Sequence, residues 1–457
     1  VKTNPSIYRE YDIRGAAGRD FDETFVEALG RAYGTTLRRK NIARSAVGRD
    51  CRMTSPTYHK ILKAGIRSAG VDVVDIGMCP TPLMYFAVRH LDLLAGIQVT
   101  GSHNPPDQNG FKIVIGASTI YGREIQELRR MIERGDSERG NAGEEAYPII
   151  PAYQGYLQEQ FGRCGKGLRI VVDSGNGTAG PVAPAIYRAM GCEVIELYSE
   201  PDGRFPNHHP DPTVEENVRE LRETVLAKKA QLGISFDGDA DRVGAIDENG
   251  RVVWGDEMMV IFAREILREH PGATVISEVK CSQRLFDDIE RHGGKPIMWK
   301  VGHSLLKAKM RETGALLGGE MSGHLFFADR YFGFDDAIYA GARLIEVIAK
   351  AGEGLGMMLS DLPPAVFTPE IRVDCPDEIK FRVAERARER FRELGYEIID
   401  IDGVRVKFDD GWGLIRASNT QPVLVTRFEA SDSAALAKNR DIVERELEAL
   451  KREAAAA

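Results

Sequence analysis

The stretch LRIVVDSGNGTAGPVAPAIYRAMGCEVIELY, residues 168–198, decides the fold. A short apolar run enters a glycine-rich polar loop, passes into an amphipathic segment, meets a glycine and ends in a second β-rich run. This is a strand–helix–strand unit, and its unbroken apolar runs suit a sheet covered on both faces. The pattern recurs upstream in SAVGRDCRMTSPTYHKILKAGIRSAGVDVVDIG (45–77) and downstream in TVISEVKCSQRLFDDIERHGGKPIMWK (274–300). Three copies predict three related α/β domains rather than one large sheet.

From about Pro364 the chain reads differently. Helices KFRVAERARERFRELG and SAALAKNRDIVERELEALKRE surround short strands EIIDIDGVRVKF, WGLIRA and VLVTRFEA, an α+β pattern with mostly antiparallel pairing. Linkers are expected near AGEEAYPIIPAYQG, DENGRVVWGDE and LSDLPPAVFTPE, which gives domains at 1–147, 148–250, 251–362 and 363–457. The tail KREAAAA reads as a helix end that frays.

Bulk properties narrow the function. Hydrophobic residues make up 43% and charged residues 28%, the balance of a globular chain. The net charge of -8 and the lack of a long basic run argue against nucleic acid. Cys51, Cys79, Cys164, Cys192, Cys281 and Cys375 are scattered without zinc-site spacing, so reduced thiols and a cytoplasmic location are expected. VKTNPSIYREYDIRG carries no apolar signal segment, and no apolar run approaches the roughly 20 residues that span a bilayer.

Four constellations carry chemistry. In GIQVTGSHNPPDQNG (96–110), Ser102 and His103 follow an apolar strand, with Lys112 beyond the loop. A serine beside an imidazole can be an activated nucleophile, and Gly101 lets backbone approach an anion; the plain alternative is a serine capping a turn. In SFDGDADRVGAID (235–247), Asp237, Asp239 and Asp241 repel one another unless a divalent cation joins them. Oxygen-only ligands favour Mg²⁺ over zinc, and the spacing is not that of an EF-hand. The alternative is a solvated acidic loop. Arg242 adjoins the aspartates.

In GGEMSGHLFF (318–327), Glu320 and Ser322 offer acceptor and donor to vicinal sugar hydroxyls, while His324 is either a ligand group or a core histidine. In IRASNTQPVL (415–424), Arg416, Ser418, Asn419 and Thr420 suit a phosphate nest. Weaker candidates are Tyr11 and Arg14 in YDIRG, and Lys280 and His303 at strand ends of the third repeat. SGNGTAG (174–180) lacks both the dinucleotide fingerprint and the Walker lysine, and reads as structural or interdomain.

TGSHNPPDQNGFK, FDGDADR, GEMSGH and RASNT, in that order over the full chain, resemble the α-D-phosphohexomutases, and most of all their bacterial phosphomannomutase/phosphoglucomutase branch. The resemblance implies four domains around a central cleft: three related α/β/α mixed-sheet domains and a C-terminal α+β domain. It implies phosphoryl transfer between C1 and C6 of glucose and mannose phosphates through a phosphoserine and a 1,6-bisphosphate. Ser102 would carry the phosphoryl group and complete a Mg²⁺ site with Asp237, Asp239 and Asp241. His103, Lys112, Arg14 and Arg242 would stand near the transferred group. Glu320 and Ser322 would read the sugar, and Arg416, Ser418, Asn419 and Thr420 would clamp the distal phosphate. Tyr11, Lys280, His303 and His324 would line the rest of the substrate site. Glucose 1,6-bisphosphate would prime Ser102.

Ala240 stands where many relatives have glycine, and is expected to be a small packing change. A monomer is expected, since an internal cleft needs no partner. The competing readings are a phosphoglucosamine mutase, which GEMSGH disfavours by resemblance, a sugar-phosphate binding protein without catalysis, and a metal-dependent phosphatase using the first aspartate of DGDADR. Ser102 argues against the last.

Overall fold

The computed structural model describes residues 3–116, 118–419 and 421–456. Its first three sheets share one four-strand core. In each, the strand opening the strand–helix–strand repeat lies between the repeat's second strand and a third strand, both parallel to it. A fourth strand then pairs antiparallel with the third. In the first sheet the four are Arg44–Arg49, Asp72–Met78, Ala95–Val99 and Gln108–Ile115. In the second they are Arg169–Asp173, Glu193–Leu197, Leu232–Phe236 and Val243–Ile246. In the third they are Thr274–Glu278, Lys295–Trp299, Leu317–Gly319 and Leu325–Phe327. The repeat legible in the sequence is therefore a repeat of topology.

The central strands are buried along their length, as in AGIQV (95–99) and LGISF (232–236). That explains their unbroken apolar runs. The fourth unit is a separate antiparallel sheet, with Gly411–Ala417 and Val423–Ala430 at its centre. Helices Asp377–Glu393 and Ser433–Ala456 pack on it, so the tail expected to fray continues the last helix.

All three expected linkers contain structure, the third supplying Val366–Phe367, which pairs with Val423–Ala430. Glu144–Ala146 joins the first sheet beside Asp72–Met78, and Ile149–Phe161 is a helix. Val252–Val253 hydrogen-bonds to the edge of the second sheet, beyond the expected boundary at 250. The helices Thr81–His90, Ile149–Phe161 and Ala337–Ala351 contribute to one hydrophobic core running through the first three units. Tyr153 in the second of these helices donates 2.8 Å to Asp336, which caps the third. The fourth unit has its own core around Phe391, Phe428 and Leu447. It meets the third through a small cluster of Val279, Trp412 and Leu414. All six cysteines are free thiols. Among the described residues no helix is long and apolar enough to cross a membrane.

Candidate active site

In the first three units the loop from third to fourth strand occupies the same place, beyond the carboxyl end of a buried strand. Those loops hold Ser102, the aspartate triad, and Glu320 to His324. This is where α/β sheets collect ligand groups. The fourth unit supplies the hairpin loop between Gly411–Ala417 and Val423–Ala430, with Ser418 and Asn419. Thr420 lies outside the described residues.

Side-chain hydrogen bonds join the first two loops, among them one in which Ser102 Oγ donates to Asp237 Oδ2 at 2.8 Å. His103 Nδ1 lies 3.1 Å from the same hydroxyl. Ser102 is held at φ +49, a left-handed conformation that costs a non-glycine residue roughly 1–2 kcal/mol. Arg52, which the sequence reading did not single out, holds it there. Its fully buried guanidinium donates to the carbonyls of Ser102 (2.8 Å), Asn104 (2.6 Å), Pro105 (2.6 Å) and Gln108 (2.9 Å). Its Nε lies 3.2 Å from Asp50, which also accepts from the Gly101 amide. A Cβ at Gly101 would come 2.4 Å from that Nε, so only glycine fits. The second unit closes over Arg52, with the Phe205 ring centroid 5.2 Å away. The only sequence hint was a charged pair, Asp50 and Arg52, just past a strand.

Asp237, Asp239 and Asp241 are all fully buried, with carboxylate oxygens from each within 4.8 Å of one another. Lys112 reaches across from the first unit, donating to Asp239 at 2.8 Å and also to Asp241. Thr81 (2.6 Å) and Thr100 (2.9 Å) donate to Asp239 as well. Burial opposes the charge on both Lys112 and Asp239, but their mutual attraction outweighs it, so the lysine is raised and the aspartate lowered. Asp237 is pushed well up, by burial first and then by Asp239 and Asp241. One ammonium does not balance three carboxylates, and the Oδ1 atoms of Asp239 and Asp241 are buried without a hydrogen-bond partner among the described residues. Orphaned buried oxygens fit a hard cation with oxygen ligands. The triad could therefore hold a metal. SGNGTAG, read in the sequence as structural or interdomain, braces this loop from within the second unit: Thr178 N donates to Gly238 O at 3.1 Å. Ala240 differs from expectation. It sits at φ +57, so the strain lies in the backbone rather than in packing.

Cations gather around the serine. The His103 imidazole is held well below its usual value, first by burial and then by the charges of Arg242, Arg14 and Lys112. Arg14 pairs with Asp12 through its Nε at 2.8 Å. Arg242 donates from Nε to His324 Nε2 at 2.9 Å. That bond leaves the proton of a neutral His324 on Nδ1, which faces Asp335 at 3.0 Å. Asp335 also takes Lys307 at 3.0 Å and lies 3.7 Å from His303, which stacks on His324. Asp335 and Lys307 were not anticipated; FGFDDA offered two adjacent aspartates within an apolar stretch as the only signal.

Glu320 and Ser322 bond each other at 3.0 Å, and Glu320 Oε1 accepts from the Gly302 amide at 2.7 Å. Gly323 at φ +91 lets this loop touch the second unit, since a Cβ there would stand 2.2 Å from the Val243 carbonyl. The fourth unit completes the ring. Tyr11 donates to Val301 O at 2.7 Å and accepts from Asn419 Nδ2 at 2.8 Å, tying the first, third and fourth units together. Lys280 bonds Glu370 at 3.1 Å, drawing that carboxyl down to about 2. Arg416 Nε lies 3.2 Å from Asp402, which also accepts from Val301 N at 3.0 Å. Ser418 Oγ accepts from Gln421 N at 3.1 Å.

Each unit matches one part of a known family. Residues 5–139, 153–250 and 254–366 match phosphoglucomutase/phosphomannomutase α/β/α domains I, II and III, and residues 370–446 match the C-terminal domain. The chain is 44% identical over 446 residues to the phosphomannomutase/phosphoglucomutase of Pseudomonas aeruginosa, covering 97% of this chain and 96% of that one. It is 42% identical over 436 residues to a phosphoglucomutase of Neisseria gonorrhoeae, covering 94% of each. A crystal structure of a phosphoglucomutase/phosphomannomutase family protein from Burkholderia thailandensis superposes with a TM-score of 0.93 at 43% identity, covering 98% of each chain. Four domains in order and near-complete cover at this identity show that the chain belongs to the phosphoglucomutase/phosphomannomutase family.

Proposed function

We propose that this chain is a phosphomannomutase/phosphoglucomutase, moving a phosphoryl group between the 1- and 6-oxygens of hexose phosphates through Ser102. The observation that carries the reading is the shared carboxylate: Asp237 belongs to the buried triad and also accepts the Ser102 hydroxyl at 2.8 Å. A nucleophile on a strained, fixed loop is set against a candidate cation site. Asp237, Asp239 and Asp241 would hold Mg²⁺, which would draw charge from the phosphoryl oxygens on Ser102.

The first half-reaction forms a bond from phosphorus to the free sugar hydroxyl and breaks the bond from phosphorus to Ser102 Oγ. The hydroxyl proton passes to a neutral imidazole, for which His103 is placed beside Ser102 Oγ. Lys112 stands where it can balance charge on the moving group, and Arg14 and Arg242 add to that field. The resulting 1,6-bisphosphate reorients within the cleft; Ser102 Oγ then bonds the other phosphorus, the bond from that phosphorus to the sugar oxygen breaks, and that oxygen takes the proton back from the imidazole. Arg416, Ser418, Asn419 and Thr420 would hold whichever phosphate is distal, with Tyr11, Lys280 and His303 beside them. Glucose and mannose differ only at C2. A carboxylate such as Glu320 reading the 3- and 4-hydroxyls accepts both sugars and both orientations. Glucose 1,6-bisphosphate would prime the serine. A cleft walled by all four units of one chain suits action as a monomer, and six free thiols suit a reducing compartment such as the cytoplasm.

The test is intact-mass analysis after incubation with Mg²⁺ and glucose 1,6-bisphosphate, followed by peptide mapping. A gain of one phosphoryl group on Ser102 is expected. No gain, or phosphate on an aspartate of the triad, would remove the phosphoserine route.

A further inference from the structure

Lys280 and Arg416, the cations expected beside the distal phosphate, are each paired with a carboxylate of the fourth unit. The two carboxylates are held differently. Asp402 lies 3.2 Å from Arg416 Nε and also accepts from Val301 N at 3.0 Å, so a backbone amide fixes it. Glu370 accepts from Lys280 Nζ at 3.1 Å, and its other near cation is Arg372, whose Nε lies 3.5 Å away. Among the described residues no backbone amide donates to Glu370. Its side chain is 23% exposed, against 7% for Lys280, so it can swing aside.

Lys280 has no such freedom. Its amide donates to the buried Glu278 carboxylate, and its carbonyl accepts from Arg427. Arg405 donates to the carbonyls of Val279 and Cys281 on either side, at 2.8 Å each. Both arginines are buried and come from the fourth unit. The loop is pinned around Lys280, with the ammonium between Glu370 and, 3.9 Å away, Glu278. An anion reaches that ammonium by displacing Glu370 or by sharing the lysine with it. A carboxylate oxygen makes the same charge-assisted contact as a phosphate oxygen. Even when the lysine is shared, the glutamate's charge opposes a dianion beside it.

We propose that Glu370 is an internal competitor for the distal phosphate, acting through Lys280 to loosen the clamp. This rests on the mutase reading, which places Lys280 beside that phosphate. A clamp that grips either end of the 1,6-bisphosphate must also let go for the molecule to reorient. Binding energy held equally in every state stabilises the bound intermediate without speeding the transfer. A carboxylate that takes Lys280 back eases the release.

The test is calorimetry of glucose 1-phosphate binding to the full chain carrying Ser102→Ala, which has no nucleophile to turn it over. Adding Glu370→Gln, which keeps the shape and removes the charge, should tighten binding by roughly three- to tenfold, between a partly exposed ion pair and a full charge-assisted contact. Glu370→Asp, which keeps the charge, should bind much as the parent does. In the Lys280→Met background Glu370→Gln should have little effect, as a double-mutant cycle reads. With Ser102 in place, Glu370→Gln should lower KM by a similar factor and lower kcat with it, because release slows. Unchanged or weaker binding by Glu370→Gln, equal tightening by Glu370→Asp, or the same tightening without Lys280 would overturn the competition. A lower KM with kcat unchanged or raised would overturn the role in release. Failure of the unsubstituted chain to convert glucose 1-phosphate would remove the mutase reading instead, and the calorimetry would still decide whether Glu370 competes.

Discussion

Replacing Arg52 by lysine tests whether the serine loop is built or merely present. Arg52 donates to four carbonyls at 2.6 to 2.9 Å and sits 3.2 Å from Asp50. A lysine has three N–H donors on one point and cannot reach that spread, so at least two of these acceptors lose their partner. Each unmet buried acceptor costs about 1–3 kcal/mol, which gives roughly 2–6 kcal/mol against the ordered loop. Ser102 at φ +49 leans on this guanidinium, which donates directly to its carbonyl. Loop opening then lowers kcat/KM by on the order of 30-fold or more, since about 1.4 kcal/mol is tenfold. The assay pairs mutase kinetics with hydrogen exchange across residues 100–110. The expected outcome is lost turnover with faster exchange confined to that loop and its Arg52 neighbourhood. Wild-type kcat/KM with unaltered exchange would refute the claim that Arg52 holds the nucleophile in place.

Three other outcomes follow from the same geometry. Ser102→Ala should cut turnover by roughly a thousandfold or more, as loss of a covalent nucleophile does, while calorimetry shows Mg²⁺ binding retained; near-normal mutase activity would sink the phosphoserine assignment. Lys112→Met breaks a fully buried pair with Asp239 and Asp241. It should destabilise the metal-free protein by about 3–5 kcal/mol, and added Mg²⁺ should raise its urea midpoint more than that of the wild type; an equal Mg²⁺ response in both proteins would contradict the charge argument. Burial raises the Asp336 carboxyl to about 6 despite hydrogen bonds from Tyr331, Tyr153 and the Tyr339 amide. An acid raised on folding binds its proton more tightly in the native state, so stability falls as pH climbs from the ordinary carboxyl value towards 6. Wild type should therefore lose about 3 kcal/mol over that window relative to Asp336→Asn, whose side chain does not titrate; parallel stability curves would exclude the effect.

The sequence carried much of this molecule and missed a definable part. Apolar runs such as LRIVV and LGISF announced buried strands, and their common order exposed the threefold repeat. Local motifs announced Ser102, the triad, Glu320 and Arg416, because their chemistry is concentrated within a few residues. Groups that act across the chain left no such trace. Arg52 matters for carbonyls some 50 residues away, and Asp335 matters because Lys307, His303 and His324 converge on it from other elements. Glu370 and Asp402 reach the cleft only through the packing of the fourth unit on the third. The strand Glu144–Ala146 was hidden for a related reason. Its three residues, two glutamates and an alanine, are exposed, and pairing at a sheet edge leaves no apolar signature. Ala240 was misjudged because a left-handed backbone is invisible in an alanine.

The central claim is the transfer itself, and phosphorus NMR reads it directly. The protein would be mixed with Mg²⁺, a trace of glucose 1,6-bisphosphate and, in separate samples, glucose 1-phosphate, mannose 1-phosphate or glucosamine 1-phosphate. The account predicts the matching 6-phosphate from the glucose and mannose substrates, at a far lower rate from glucosamine, and no growth of free phosphate. Free phosphate in place of a 6-phosphate, or no conversion by folded protein with Mg²⁺ bound, would contradict it.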